Sequence, residues 1–383
     1  MRIDDGRAPL ALEISPLDSA RFGLRVFRGR GIVADERDLF RSLLAGSVDV
    51  AILRTPAGST RWSRLPRSGL QPIHADTLVY YAVDLRTHEP RALRNADLVF
   101  EEAGPDDAAS IAHLVRTTFR DYVSHYHANP VFDPNQIVAG YMEWATSYTS
   151  SAADGRTTWV ARRNGEIVAF ACCSFDASID ECEGVLYGVH PDHAGGGLYG
   201  DLIRYSQAAF RARGFGTMNV STQVWNYAVQ KVWAREGFAL VSAFDTWHVN
   251  AMLDGGAILV DRPLVFDAAQ VERFAAATGD RNPVHFDDAA ARAAGFPSRI
   301  SHGMLVGGEL SKIFGTEIPG PGTLFLRSSL AFLSPVFPEQ PYRLRVRAPG
   351  RPGSSGHVPA VATVHDSAGS LCVLAYSDLL KRS

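Results

Sequence analysis

Residues 278–286, Thr-Gly-Asp-Arg-Asn-Pro-Val-His-Phe, constrain this chain more than any other segment. Pro283 has a fixed φ and no backbone N–H, so the residue before it is pushed out of the helical region and the chain turns in extended form. Asp280 and His285 can converge across that turn. A carboxylate and an imidazole on one water make an acid–base pair that works near neutral pH. Taken alone, Asp-x-Asn-Pro-x-His is also the ordinary composition of a capped turn. Its surroundings decide between the two.

With 383 residues the chain is longer than one ordinary domain and suits two or three. Apolar residues make up 46% and charged residues 21%, a mix that can bury full cores. No apolar run approaches the roughly 18 residues that span a bilayer, so an integral membrane protein is excluded. A net charge of -3 gives no general case for binding nucleic acid. The opening MRIDDGRAPL lacks a basic stretch followed by an apolar one, so no secretory leader is expected. Cys172, Cys173, Cys182 and Cys372 form no Cys-x-x-Cys pair, and a bridge between neighbours 172 and 173 would be strained. A reducing cytoplasm and no metal site are the expectation.

Three segments follow from the pattern. Residues 1–92 hold β-branched and aromatic runs at 49–56 and 77–85 that predict strands, with a helix over 35–45 between turn residues. The polar stretch 86–97 reads as a linker. In residues 98–250, Asn164-Gly165 between two apolar runs signals a hairpin, and helices ending at Gly214 and Gly237 follow. In residues 258–383, Asp267 caps a helix, two more helices follow, and four apolar runs after residue 322 predict sheet strands. The fold class expected is α+β.

Between a strand and a helix of the middle segment lies Val189-His190-Pro191-Asp192-His193-Ala194-Gly195-Gly196-Gly197-Leu198-Tyr199-Gly200. Glycines there let backbone N–H groups approach a ligand, and the helix dipole favours an anion such as pyrophosphate. A flexible turn would have the same composition. Residues 98–250 resemble the GNAT acyltransferase superfamily. Val189, Pro191, Gly195 and Gly197 fit its V-x-P-x-x-(Q/R)-G-x-G-x-(G/A) loop, and Asn226, Trp233, Gly237 and Phe238 fit its downstream pattern. The resemblance implies acyl-CoA binding, with pyrophosphate on the amides of residues 195–200 and Asn226 and Trp233 beside the ligand. Ala194 and Tyr199 depart from the motif. Trp233 stands where many members carry a tyrosine that protonates the departing thiolate, and an indole N–H is a very poor acid. Tyr227 is a nearby substitute or a rim residue. Glu183, on the strand before the loop, is the best candidate base, the alternative being a solvated strand residue; His248 and His190 are weaker ones. Asp18, Ser19, Phe22 and Gly23 resemble the degenerate N-terminal half of amino-sugar N-acetyltransferases, which implies a tandem GNAT pair over 1–250 with one working site.

The last segment resembles the MaoC-like, (R)-specific enoyl-CoA hydratase family of hot-dog proteins. It carries Gly-Asp-x-Asn-Pro-Val-His, then Ser301-His302-Gly303-Met304, then Phe332-Leu333-Ser334-Pro335-Val336, in that order. The resemblance implies that Asp280 and His285 hold the water added to C3 of a trans-2-enoyl thioester and that Asn282 orients the turn. It further implies that the Gly303 amide polarises the thioester carbonyl and that Ser311 lies in the site, though an ordinary helix serine reads the same. It also implies a homodimer through this segment.

The combined expectation is a GNAT-type mixed sheet followed by a hot-dog domain, both using coenzyme A thioesters. The hydratase product, an (R)-3-hydroxyacyl-CoA, would be moved to an amine, for instance on a nucleotide-linked amino sugar. Two other readings stay open. The GNAT half could serve as a non-catalytic acyl-CoA module, or the hot-dog half as a dimerisation scaffold.

Overall fold

The computed structural model describes residues 8–149, 155–254, 257–348 and 356–381. The first seven residues, on which the reading of the leader partly rests, lie outside them. The chain forms two compact units. The first comprises residues up to Asp35, Ala51–Arg61 and Ile73–Val249, and the second comprises Glu36–Val50, Trp62–Pro72 and Asn250 onward.

The strands of the first part of the chain are β1 (Glu13–Ile14), β2 (Val26–Arg30), β3 (Val50–Pro56), β4 (Pro72–Asp84) and β5 (Val99–Glu102). They continue with β6 (Arg156–Arg163), β7 (Glu166–Asp176), β8 (Glu181–Val189), β9 (Thr217–Gln223) and β10 (Ala239–Asn250). All ten join one sheet in the order β1-β2-β3-β10-β4-β9-β8-β7-β6-β5. The N-terminal strands thus extend the sheet of the middle segment. Helices α1 (Pro16–Phe22), α2 (Glu36–Ala45), α3 (Ala108–Phe119), α4 (Pro134–Thr146), α5 (Leu198–Ala212) and α6 (Tyr227–Arg235) connect them. Asn164 (φ 52) and Gly165 (φ 87) make the two-residue turn between β6 and β7, with Arg163 opposite Glu166. Two successive positive φ values match the right-handed twist of a hairpin, which is why Asn-Gly marks it. Trp159, Leu202, Ile203 and Phe210 bury one face of this sheet, and Phe170, Ile111 and Val115 the other.

The second unit is a five-stranded sheet around one helix. Its elements are β11 (Ala257–Leu264), α7 (Ala268–Thr278), α8 (Asp288–Ala293), α9 (Gly303–Thr316), β12 (Thr323–Phe332), β13 (Tyr342–Ala348), β14 (His357–His365) and β15 (Leu371–Lys381). The pairings given for the sheet, β11 with β13, β13 with β14, β14 with β15 and β15 with β12, are all antiparallel. Val306, Leu310, Ile313 and Phe314 are buried on α9, the i, i+4, i+7, i+8 stripe of an amphipathic helix, and pack on Leu344, Val346, Val373 and Ala375 of the sheet. Asp267 accepts the Gln270 N–H at 2.6 Å and Gln270 accepts the Asp267 N–H at 2.9 Å, a capping box that starts α7.

The expectation above places the whole of residues 1–92 with the acyltransferase-like part. In the structure two pieces of it, including α2, belong to the second unit. Backbone bonds explain this: Ala251, Met252 and Leu253 donate to the carbonyls of Asp49 and Val48. At Gly69 a Cβ would meet the side chains of Ser329 and Tyr376 within 2.9 Å, so only glycine lets this turn lie on the sheet. Composition along the chain carries no mark of such interleaving. Among the described residues no helix is long and apolar enough to cross a membrane.

Candidate functional site

In the second unit the three segments singled out in the sequence meet. A carboxylate oxygen of Asp280 and one ring nitrogen each of His285 and His302 lie within 4.8 Å of one another. One water can bridge groups so spaced. The ring Nδ1 of His285 lies 2.9 Å from the Ile300 carbonyl. A carbonyl only accepts, so Nδ1 carries the proton and Nε2 of the neutral ring keeps its lone pair. His302 Nε2 likewise donates to the backbone carbonyl of Asp280 at 2.9 Å, and its ring stacks on His285 with centroids 3.8 Å apart. His302 therefore ties the turn to α9. It was quoted in the sequence only as part of a motif. Asn282 accepts the Val284 N–H at 3.4 Å and its own N–H points at the Asp280 carboxylate at 3.2 Å, so it shapes the turn.

Gly303 is the first residue of α9, with His302 as N-cap. Its N–H belongs to the first helical turn, which has no intrahelical acceptor. Ser301 N–H donates to Val336 at 2.7 Å and fixes the approach to the helix. A Cβ on Gly303 would come within 2.9 Å of the Phe332 ring. Gly303→Ala keeps the N–H but sets a Cβ against this ring and shifts the helix start, and it is expected to lower turnover of a substrate whose carbonyl that N–H polarises by about 10²-fold, with circular dichroism unchanged. Ser311 lies about two turns further along α9, exposed, with no hydrogen bond to the Asp280–His285 pair. The same three side chains could also ligate a metal ion by spacing alone.

In the first unit the sheet itself opens. β8 pairs with β9 in parallel from Glu181 to Gly184 and no further. On its other edge β8 pairs with β7, with a bulge that leaves Val185 unmatched. Bulges re-aim backbone groups beside sites. Two cavities flank the opening. One, of about 100 Å³, is walled by Gly184–Tyr187, Val220–Thr222, Tyr199, Asn226 and Trp233. The other, of about 460 Å³, is walled among others by Glu183, Arg54 and Tyr141. Tyr122, Val185, Leu186, Ser221 and Thr222 line both, so the two are adjoining compartments.

The glycine loop reaches α5 through Gly195 (φ 83) and Gly197 (φ 85). Leu198 is buried between Gly197 and Tyr199, and the first-turn amides of Leu198, Tyr199 and Gly200 are free of helical acceptors. Val189 precedes the loop as the last residue of β8. The stretch read as a linker is pinned here: Arg94 and Asn95 N–H groups donate to the fully buried Asp201 carboxylate at 2.8 and 2.9 Å. Arg94 lies over Gly197, its Cδ 3.2 Å from where a Cβ would stand. His190 accepts the Asp192 N–H within its own loop at 3.3 Å.

Glu183 faces the larger cavity, and burial pushes its carboxyl above the usual range despite nearby Arg54 and Arg30. That is the shift a base working near neutral pH needs. Trp233 is only 3% exposed, and its Nε1 has no partner. Tyr227 is 66% exposed and lines neither cavity. Asn226 donates to Thr222 at 3.0 Å. His248 is wholly buried and bonded at 2.9 Å to His125, which lines the larger cavity. Burial and then Arg28 push His248 down to about 3; burial, His248 and Arg54 push His125 well below its usual value. Both imidazoles are neutral at pH 7.

The N-terminal strands and helix complete this cavity. Asp18 and Phe22 line it, with Arg28 and Arg54. Arg28 Nε donates to Asp18 at 2.6 Å, and the Tyr126 hydroxyl donates to Asp18 at 2.8 Å. Burial alone would raise the Asp18 carboxyl, but Arg28, Ser15 and Tyr126 together hold it low. Of these only Asp18 and Phe22 had a sequence signal.

Residues 254–366 match the family described as MaoC like domain, and residues 116–238 match the Acetyltransferase (GNAT) family. The chain carries a GNAT domain and a MaoC-like domain. The MaoC-like region is similar to the (R)-specific enoyl-CoA hydratase of Aeromonas caviae, 44% identical over 72 residues, 19% of this chain and 54% of that protein. The chain spans about half the length of the curated relatives it matches. Among solved structures, the A. caviae (R)-hydratase is 29% identical, covering 34% of this chain and all but 1% of its own, with a TM-score of 0.31. A GCN5-related N-acetyltransferase from Sphaerobacter thermophilus is 13% identical, covering 62% of this chain and 75% of its own, with a TM-score of 0.45.

Proposed function

We propose that the MaoC-like domain hydrates a trans-2-enoyl-CoA to an (R)-3-hydroxyacyl-CoA and that the GNAT domain transfers an acyl group from coenzyme A to an amine. The observation that carries the first half is the Asp280–His285 pair, with the His285 tautomer fixed by Ile300. Water bound between them loses a proton as its oxygen bonds C3, and the pair returns a proton to C2. The Gly303 N–H takes up the charge on the thioester oxygen. No metal enters this scheme. Purified protein given crotonyl-CoA is expected to bleach the enoyl-thioester absorbance and yield the (R) alcohol. No bleaching with short or medium chains would remove this half of the reading.

For the second half, Glu183 takes one proton from the ammonium form of the acceptor. The freed nitrogen bonds the carbonyl carbon, the C–S bond breaks with its electrons on sulfur, and the proton shed by nitrogen ends on sulfur. A nucleotide-linked amino sugar is one acceptor the N-terminal motif suggests, and the hydratase product is the donor the fusion suggests. Transfer of acetyl alone, with (R)-3-hydroxybutyryl-CoA inert, would sink that coupling. A second reading, acyl-CoA binding without transfer, is favoured by the buried Trp233; absence of thiol release with every amine tried would select it.

We further propose a cytoplasmic homodimer through the MaoC-like domain. Strand β12 is an edge of its sheet, and Leu324, Phe325, Leu326, Phe332 and Met304 are 42–58% exposed. Each such side chain, about half exposed, forgoes about half of the roughly 1.5–3 kcal/mol that full burial contributes, and a bare edge invites pairing. Sedimentation is expected to give a dimer, and Phe325→Glu a monomer.

A further inference from the structure

Arg54 lines the larger cavity of the first unit, and its Nε is shielded from solvent yet has no hydrogen-bond partner. The other two arginines of that wall are committed. Arg28 is held by Asp18, and Arg21 by Glu143 at 3.0 Å and Asp18 at 3.7 Å. Arg54 has no carboxylate partner among the described residues, although its charge acts on Glu183, His125 and Tyr141 of the same cavity and on Asp76. Asp76 is buried nearby, with burial raising its carboxyl against the opposing pull of Thr246, Arg54 and Gln223, and it makes no ion pair with Arg54 among the described residues. Unpaired, partly buried guanidinium is costly, and such groups are kept where a ligand supplies the counter-charge.

We infer that the acceptor of the GNAT domain, in place of a nucleotide-linked sugar, is a compact amine that also bears an anionic group, a carboxylate or a phosphate monoester, bound by Arg54 while Glu183 holds the amine. A cavity of about 460 Å³ with aromatic walls suits a small molecule of this kind. This rests on the acyl-transfer reading. With both His125 and His248 neutral, Arg54 is the cation of the wall left for an anion, and an Arg fork matches either group.

Thiol release from acetyl-CoA and from (R)-3-hydroxybutyryl-CoA is measured with matched pairs: phenethylamine and phenylalanine, ethanolamine and O-phosphoethanolamine, glucosamine and glucosamine 6-phosphate. The first pair tests a carboxylate and the other two a phosphate. In at least one pair the anion-bearing member is expected to exceed the amine without the anion by about 30-fold in kcat/KM, the scale of one charged hydrogen-bonded contact. Arg54→Gln removes that advantage and Arg54→Lys keeps part of it, which a merely structural role would not do. Amines without the anion reacting as well as those with it, or an advantage that survives Arg54→Gln, overturns the inference while leaving acyl transfer standing. If no probe releases thiol, calorimetric titration of the anion-bearing probes into the CoA-loaded protein decides. Binding lost in Arg54→Gln sustains the anion site without transfer, and no binding overturns it.

Discussion

Asp280→Asn is expected to lower crotonyl-CoA hydration by about 10³-fold with KM changed only a few-fold, since a positioned proton-transfer group contributes roughly 10²–10⁴. The substitution keeps shape and removes the charge that holds and deprotonates water. His285→Asn should cost as much, and the double variant little more, because the two act on one water as a unit. Stopped-flow loss of the enoyl absorbance reads all three. Asn282→Ala is a contrast: it loosens the turn through the Val284 bond and should cost less. Equal losses at 280 and 282, or near-wild-type turnover in Asp280→Asn, would show that the pair does not carry the chemistry.

Glu183→Gln is expected to lower amine acylation by about 10²–10³-fold and leave hydration unchanged. The pH profile carries the sign. A base must be ionised to accept a proton, and burial places the Glu183 carboxyl above the ordinary glutamate range. Activity is therefore present above that raised value and is lost as pH falls through it, earlier than an exposed glutamate would lose it. The Gln variant should show no such limb. Thiol release across pH at saturating acyl-CoA measures both. An unchanged acid limb in Glu183→Gln would assign the base elsewhere.

The MaoC-like site was legible because its residues are close in sequence. Asp280, Asn282 and His285 share one turn, and His302 and Gly303 share one helix start, so a short motif fixes most of the geometry. The glycine loop was legible for the same reason. The larger cavity of the first unit was not. Arg28, Arg54, Tyr122, His125 and Glu183 come from β2, β3, the connection between α3 and α4, and β8, and only the tertiary fold brings them round one space. Strands far apart in the chain leave no spacing to read. Asp18 and Phe22 were singled out through the N-terminal resemblance, while Arg28, ten residues after Asp18 and paired with it, had nothing local to mark it. Hairpin and helix ends at Asn164-Gly165, Gly214 and Gly237 were visible because a positive φ demands particular residues there.

The second unit takes two pieces from early in the chain, α2 with its flanks and the turn around Gly69. No single cut therefore frees either unit whole. Severed near residue 250, the C-terminal portion would lose the turn seated on Ser329 and Tyr376 and the strand of bonds between residues 48–49 and 251–253. The chain segments of the two units alternate rather than follow one another end to end. Duplication, loss or exchange of one half by simple recombination would damage the other, so the pair is inherited as one object.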